Sequence, residues 1–183
     1  MIEWIKNNID KMGGKIEVES TLGLGSKFTV TLTLKTTDLE VVCEAMKQKN
    51  YDSIDVSGMK VMLVEDNDLN IEVALMFLEH AGVNVTVARN GKEALEKFLA
   101  SSEGDFDVVL MDIMMPEMNG YEATVAIRES AHPSAKSVPI VAQTANAFQE
   151  DIKKVHESGM NGHISKPIDE GNLLKTLAKY KKL

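Results

Sequence analysis

One cysteine, Cys43, stands in a chain of 183 residues, so no disulfide can form within it and a reducing compartment is expected. Long hydrophobic runs are missing as well. No stretch reaches the ~20 apolar residues that a membrane span needs, and no charged-then-apolar signal segment opens the chain. Direct membrane contact is therefore not expected and the chain reads as cytoplasmic, whether or not a longer parent protein is anchored in a membrane. Positive charge is in deficit: the net charge is −8, and Lys and Arg are scattered rather than striped. That excludes the basic face on which nucleic-acid binding depends. What remains is an ordinary globular composition, 44% hydrophobic and 26% charged. The length suits one domain, or one domain plus a fragment.

At the front, Ile2, Ile5, Ile9 and Met12 recur at helical spacing until Gly13-Gly14 stops them. Ile16 and Val18 then alternate with charged residues, Gly23-Leu24-Gly25-Ser26 predicts a turn, and Phe28, Val30, Leu32 and Leu34 alternate again. Residues 1–36 thus predict helix, strand, turn, strand. Such a piece is below the ~40 residues at which unaided folding becomes hard. Its hairpin is marginal alone and has open edges. Its apolar faces are expected to be buried, against the rest of the chain or by exchange with a second copy in a homodimer. Residues 37–57 are polar, with a short helix through Leu39, Val42 and Met46, and predict a linker that ends in a turn at Ser57-Gly58.

From Met59 the pattern becomes regular. Val61–Val64 is an apolar run ending in Glu65-Asp66, and a helix follows with Leu69, Val73, Met76 and Phe77 on one face and Gly82 as its stop. Val83, Val85 and Val87 predict a strand. Asn90 with Glu93 caps a helix whose face is Leu95, Phe98 and Leu99. Phe106–Asp112 is a third strand, and Asn119 with Glu122 caps a helix through Ile127. Val138–Ala142 is the fourth strand; Asn146 with Gln149 caps a fourth helix with few apolar positions, Ile152 and Val155 among them. His163–Ser165 is the fifth strand, and Asp169 caps a last helix through Leu173, Leu174 and Leu177. Five repeats of strand then helix imply a parallel sheet with right-handed crossovers and helices on both faces. The expected fold is α/β, a flavodoxin-like (βα)5 doubly wound sheet of order 2-1-3-4-5, preceded by the helix and hairpin. Its ligand crevice lies at the carboxyl ends of the first and third strands.

Those two strands end in Glu65-Asp66 and in Asp112. Three carboxylates in one crevice resist ionising together unless a cation offsets them. Mg²⁺, with Mn²⁺ as an alternative, suits such a set of hard oxygen ligands and works beside phosphate. An aspartate there can act as a nucleophile and become an aspartyl phosphate. Thr144, after the fourth strand, supplies a hydroxyl, and Lys166, after the fifth, an ammonium suited to phosphate. The remaining polar and sulfur residues have plainer readings. Asp107 is expected to be a solvated strand edge, and Glu117 and Asn119 loop and capping residues. Met62, Met111, Met114, Met115 and Met118 are expected to pack rather than ligate. His80, His132 and His156 are expected on solvated surface.

Glu65-Asp66, Met111-Asp112-Ile113-Met114-Met115-Pro116-Glu117-Met118-Asn119-Gly120, Thr144-Ala145-Asn146-Ala147 and Lys166-Pro167 resemble the four signatures of response-regulator receiver domains, over residues 59–183. The resemblance implies that Asp112 is the phosphoacceptor and that Glu65, Asp66, Asp112 and the backbone carbonyl of Met114 form the Mg²⁺ site. It further implies that Thr144 is the switch hydroxyl, that Lys166 contacts the acyl phosphate, and that the bond before Pro167 is cis. The family often carries Tyr or Phe as a rotameric switch three residues before the lysine; here His163 stands there, as a switch or as a plain edge residue. Met12–Ser20 and Gly23–Val30 resemble the C-terminal end of a histidine-kinase ATPase domain, without that family's nucleotide boxes or phosphoacceptor histidine, so no ATP site is assigned to the chain. Together these imply the C-terminal part of a hybrid histidine kinase: a fragment over 1–36, a linker over 37–57 and a receiver over 58–183. Its expected partners are a histidine kinase or a histidine phosphotransfer protein, and its expected readout face is the fourth helix, fifth strand and fifth helix. Two other readings stay open at this point: a receiver-fold binding module that is never phosphorylated, and a Mg²⁺-dependent phosphatase with an aspartyl nucleophile. The second wants another Asp two residues after the first, where Met114 stands.

Overall fold

Val61–Val64 and Val108–Met111 are too continuously apolar for a sheet with one wet face, and the computed structural model buries all of these residues completely. The structure describes residues 6, 9–21, 23, 25–33, 54–145 and 149–181, with only the backbone of 149–152. It divides into two units, Met1–Asn50 and Tyr51–Leu183. The expected helix through Leu39, Val42 and Met46, the cap at Asn146, and Cys43 all lie outside the described residues.

In the front unit, β1 (Lys15–Thr21) pairs antiparallel with β2 (Gly25–Thr31) around a turn at Gly23, with Val18 opposite Phe28 and Ile16 opposite Val30. Val18, Phe28 and Val30 are exposed within the chain, and two strands alone leave one apolar side open.

The second unit runs β3 (Lys60–Val64), α1 (Asp68–His80), β4 (Asn84–Ala88), α2 (Gly91–Ala100), β5 (Val108–Asp112), α3 (Gly120–Glu129), β6 (Ile140–Thr144), α4 (Gln149–Glu157), β7 (Gly162–Ser165) and α5 (Glu170–Ala178). All five strands are parallel in the order β4-β3-β5-β6-β7, which is 2-1-3-4-5 counted within the unit. Alternation sends Val61, Leu63, Val108, Leu110 and Val141 to a layer with Ile71, Ala74 and Leu78 of α1 and Leu173, Leu174 and Leu177 of α5. Met62, Val64, Val109, Met111, Ile140 and Ala142 face Phe98, Ala123, Ile127 and Val155 of α2, α3 and α4. The core reaches back to Val56, ahead of the boundary expected at Gly58, and a staple joins the unit's two ends. There, Lys181 Nζ donates to Asp55 Oδ2 at 2.6 Å and, with the Ser57 hydroxyl and N–H, holds that carboxyl well below its usual range.

The helices begin where their caps do. Asn67, Asn90, Asn119 and Asp169 each accept a backbone N–H of their first turn, and Asn119 with Glu122 closes a full capping box. Glu93 instead takes the N–H of Arg89. At the other end of the sheet Arg128 donates to Ala135 O, Gly159 O and Asn161 Oδ1, tying α3 to the turn after α4.

Several expectations about faces need correction. The buried stripe of α1 is Ile71, Ala74 and Leu78, and Leu69 and Met76 are exposed. With apolar residues at eight of the ten positions 69–78, helical spacing alone admits more than one stripe. In α2, Gly91, Ala94 and Phe98 are buried and Leu99 is exposed; a Cβ at Gly91 would stand 2.5 Å from the Met118 carbonyl oxygen, so the small residue lets the helix approach the start of α3. Asp107 is not merely solvated: its Oδ2 accepts the N–H of Lys60 at 2.9 Å and closes the start of β3. His132 is half-buried rather than on open surface. Its ring lies 4.4 Å from that of Phe98, Nε2–H donates to Ser101 O, and Nδ1 accepts the N–H of Ser134. Met114 is exposed and packs on nothing in the core. The phase of α2 is directly testable. Phe98→Ala should lower the stability of the chain by about 3–5 kcal/mol and Leu99→Ala by less than about 0.5 kcal/mol in denaturant titrations; equal losses would return Leu99 to the core.

Candidate functional site

Two apolar strands that must be buried end together, and the residues just past their last buried pair are acidic. Val64 and Met111 are register partners, so Glu65 and Asp112 emerge side by side at the carboxyl edge. Glu65, Asp66 and Asp112 each place a carboxylate oxygen within 4.8 Å of the others; Glu65 and Asp112 are buried and Asp66 is exposed. Lys166, directly after β7, reaches across to them. Its ammonium donates to Glu65 Oε2 at 2.6 Å and to Asp112 Oδ2 at 2.7 Å. The Lys166–Pro167 peptide is cis.

Burial pushes the Asp112 carboxyl above its ordinary value and the neighbouring Glu65 charge adds to this, while Lys166 and the Met114 N–H pull it back. Burial also works against the Lys166 ammonium, but its two carboxylate partners outweigh it and hold the lysine charged. Three carboxylates against one ammonium leave an anionic excess with oxygen donors only. That donor set fits a small hard divalent cation.

Of the residues expected in the site, Glu65, Asp66, Asp112 and Lys166 converge directly. Met114 touches Asp112 through its backbone N–H, 3.2 Å from Oδ1, and among the described residues no hydrogen bond fixes its carbonyl. Thr144 closes β6, buried, one residue beyond Gln143, the register partner of Asp112; its carbonyl accepts the N–H of Lys166 at 2.8 Å. By alternation Thr144 and the half-buried His163 follow the α2–α4 side of the sheet, and Thr144, the last residue of β6, shares the carboxyl edge with Asp112, the last residue of β5.

Other participants were not foreseen. Asn70 donates from Nδ2 to Glu65 Oε1 at 2.8 Å, and its only trace in the sequence is a polar residue in the apolar first turns of α1. Gly120 is packed against the backbone of Asp112 and Ile113 so closely that a Cβ there would stand 2.2 Å from the Asp112 carbonyl oxygen. Its place just after the capping Asn119 was the available signal.

The response regulator receiver domain model matches residues 61–178. The chain belongs to that family. The receiver is also similar to named relatives. The chain as a whole is 36% identical over 169 residues to the aerobic respiration control sensor protein ArcB of Escherichia coli (strain K12), a match that covers 92% of this chain and 21% of ArcB. The chain thus spans about a fifth of that curated relative's length. Among solved structures, the receiver domain of sensor histidine kinase PA1611 from Pseudomonas aeruginosa PAO1, with a magnesium ion coordinated in its active-site cleft, superposes with a TM-score of 0.61. That pair is 35% identical over 68% of this chain and 98% of the other. The receiver of Saccharomyces cerevisiae Ssk1, solved with the histidine phosphotransfer protein Ypd1, has a TM-score of 0.59. It is 30% identical over 67% of this chain and 88% of the other.

Divalent cations should stabilise the receiver by binding the folded state alone. Mg²⁺ at ten times its Kd should add about 1.4 kcal/mol, seen as a higher thermal midpoint, and Asp66→Asn should abolish the gain. The pH dependence has a sign of its own. With its folded pKa raised above 3.8, Asp112 contributes stability below the unfolded value that is lost as pH rises through the folded one. In metal-free buffer Asp112→Asn should therefore melt above the parent at neutral pH, with the gap closing on acidification; a gap that is constant with pH would remove this account.

Proposed function

We propose that this receiver accepts a phosphoryl group on Asp112 from a phosphohistidine and relays it within a two-component phosphorelay. The observation that carries the reading is the buried Asp112 carboxylate held by Lys166 beside Glu65 and Asp66. Glu65, Asp66, Asp112 and the Met114 carbonyl would hold Mg²⁺, or Mn²⁺ in its place. Bound there, the cation would supply the positive charge that phosphoryl transfer between anionic groups requires. An Asp112 Oδ attacks phosphorus in line, the P–O bond forms as the P–N bond of the donor breaks, and the freed imidazole nitrogen takes up a proton. Lys166 and the Thr144 hydroxyl then hold the new oxygens. Water later hydrolyses the acyl phosphate slowly, or a histidine of the next carrier takes the group. The magnesium-bearing PA1611 receiver and the Ssk1 receiver solved with Ypd1 support the cation and the partner class.

The added charge of about −1.5 to −2 draws Thr144 and Lys166 together and biases α4. That helix is the most polar of the five, and weakly anchored elements are the ones that move. Its face with β7 and α5 is the readout surface, with His163 as the switch residue between them. The front unit, 1–36, is read as the C-terminal end of a histidine-kinase ATPase domain, joined through 37–57 to the receiver at 58–183, in a parent hybrid kinase. The exposed Val18, Phe28 and Val30 face is where the rest of such a domain, or a second chain, would pack. A cytoplasmic place follows from this reading; among the described residues no helix is long and apolar enough to cross a membrane. The test is exposure to acetyl phosphate with Mg²⁺, followed by intact-mass measurement. The parent should take one phosphoryl group, and none when the metal is chelated beforehand, and Asp112→Asn should take none. Equal labelling of Asp112→Asn would remove Asp112 from the reaction.

A further inference from the structure

Gln143 is 1% exposed, and among the described residues neither Nε2 nor Oε1 of its carboxamide has a hydrogen-bond partner. The residues before it in β6, Ile140, Val141 and Ala142, are all buried and apolar. An orphaned amide in such a strand bears its full desolvation penalty, and a fold keeps one where it has a use. Its position indicates the use. Gln143 pairs in register with Asp112 on β5 and with Ile164 on β7. Alternation places it on the face of Val141, Leu110 and Ile164, which is also the face of Glu65 and Asp112. Lys166 follows β7, and its ammonium ends on Asp112 and Glu65, on the far side of β6. The lysine side chain therefore crosses the end of the strand that carries Gln143. An ammonium has three N–H donors. Glu65 Oε2 and Asp112 Oδ2 take one each, and a carboxamide oxygen is a matching acceptor for another.

We propose that Gln143 is a positioning residue for Lys166. Its Oε1 accepts an ammonium hydrogen when the lysine leaves Glu65 and Asp112 for the oxygens of a phosphoryl group, and so keeps that charge over Asp112. This rests on the reading of Asp112 as phosphoacceptor.

Gln143→Met keeps the length and nearly the volume of the side chain and removes the amide. In the unphosphorylated, metal-free chain its thermal midpoint should equal or exceed the parent's, because the orphaned groups are gone. With saturating Mg²⁺, its initial rate of labelling by acetyl phosphate should fall about tenfold, the size of one lost charge-assisted hydrogen bond. On a Lys166→Ala background the same substitution should change the rate by less than about twofold, since the amide acts through the lysine. Labelling of Gln143→Met at the parent rate overturns the proposal, as does an undiminished loss on Lys166→Ala. A lowered midpoint also overturns it, since the amide would then be paired in the resting chain. Should the Met variant not fold, Gln143→Leu is read by the same rates. A parent chain that takes no label would defeat the phosphoacceptor reading and this inference with it; a labelled parent with unchanged variants defeats this inference alone.

Discussion

The ammonium of Lys166, shared between Glu65 Oε2 and Asp112 Oδ2, is the contact on which the rest of this molecule depends. It sets one positive charge between two buried carboxylates that repel one another. Removing the lysine would leave uncompensated buried charge, at a cost of about 3–5 kcal/mol, whereas without the Asp112 charge Lys166 still keeps Glu65. The ion pair is nonetheless a poor source of stability, because desolvation takes back most of what attraction provides. Its value lies in being exchangeable. On the proposed reading a divalent cation would compete with the lysine for the carboxylates, and a phosphoryl group would compete with the carboxylates for the lysine.

Such an exchange needs a frame that does not yield. β5 is buried along its whole length between two helical layers, and Asp112 is its last residue. Gly120 fits against the Asp112 carbonyl with no room for a methyl group, and the Met114 N–H fixes one carboxylate oxygen. Asp112 is held from its main chain to its side chain. The groups around it sit at the ends of separate strands or on the first turn of a helix, so each can change partners without disturbing the sheet. α4 is the exception in the frame: polar along most of its length, buried at Val155, and tied at its exit by the bond from Arg128 to Gly159.

Much of this was legible before any coordinates, for a physical reason. Strands buried on both faces read as unbroken apolar runs, and side-chain caps announce helix starts, so five repeats, their order and the carboxylates at two strand ends all followed from pattern. Helix faces were harder. Eight of the ten positions 69–78 of α1 are apolar, so its phase is set by which residues the sheet has room for, and small Ala74 took a place that Met76 was expected to share. In α2, Gly91 and Ala94 are likewise buried and Leu99 is outside. His132 and Asp107 found partners more than thirty residues away in the chain, and no local pattern carries that information. Gln143 was visible as a polar residue ending an apolar strand, but the sequence does not say that its amide is shut away unpaired.

The ion pair between Asp55 and Lys181 has a bearing on how the receiver travels. It brings the start and finish of the folded unit to one place on its surface. Chain can enter and leave there without threading round the domain, as in modules that tolerate insertion or permutation. A unit closed on itself in this way is a portable cassette: it can be carried inside a longer polypeptide, or appended to one, and keep its own cooperative melting.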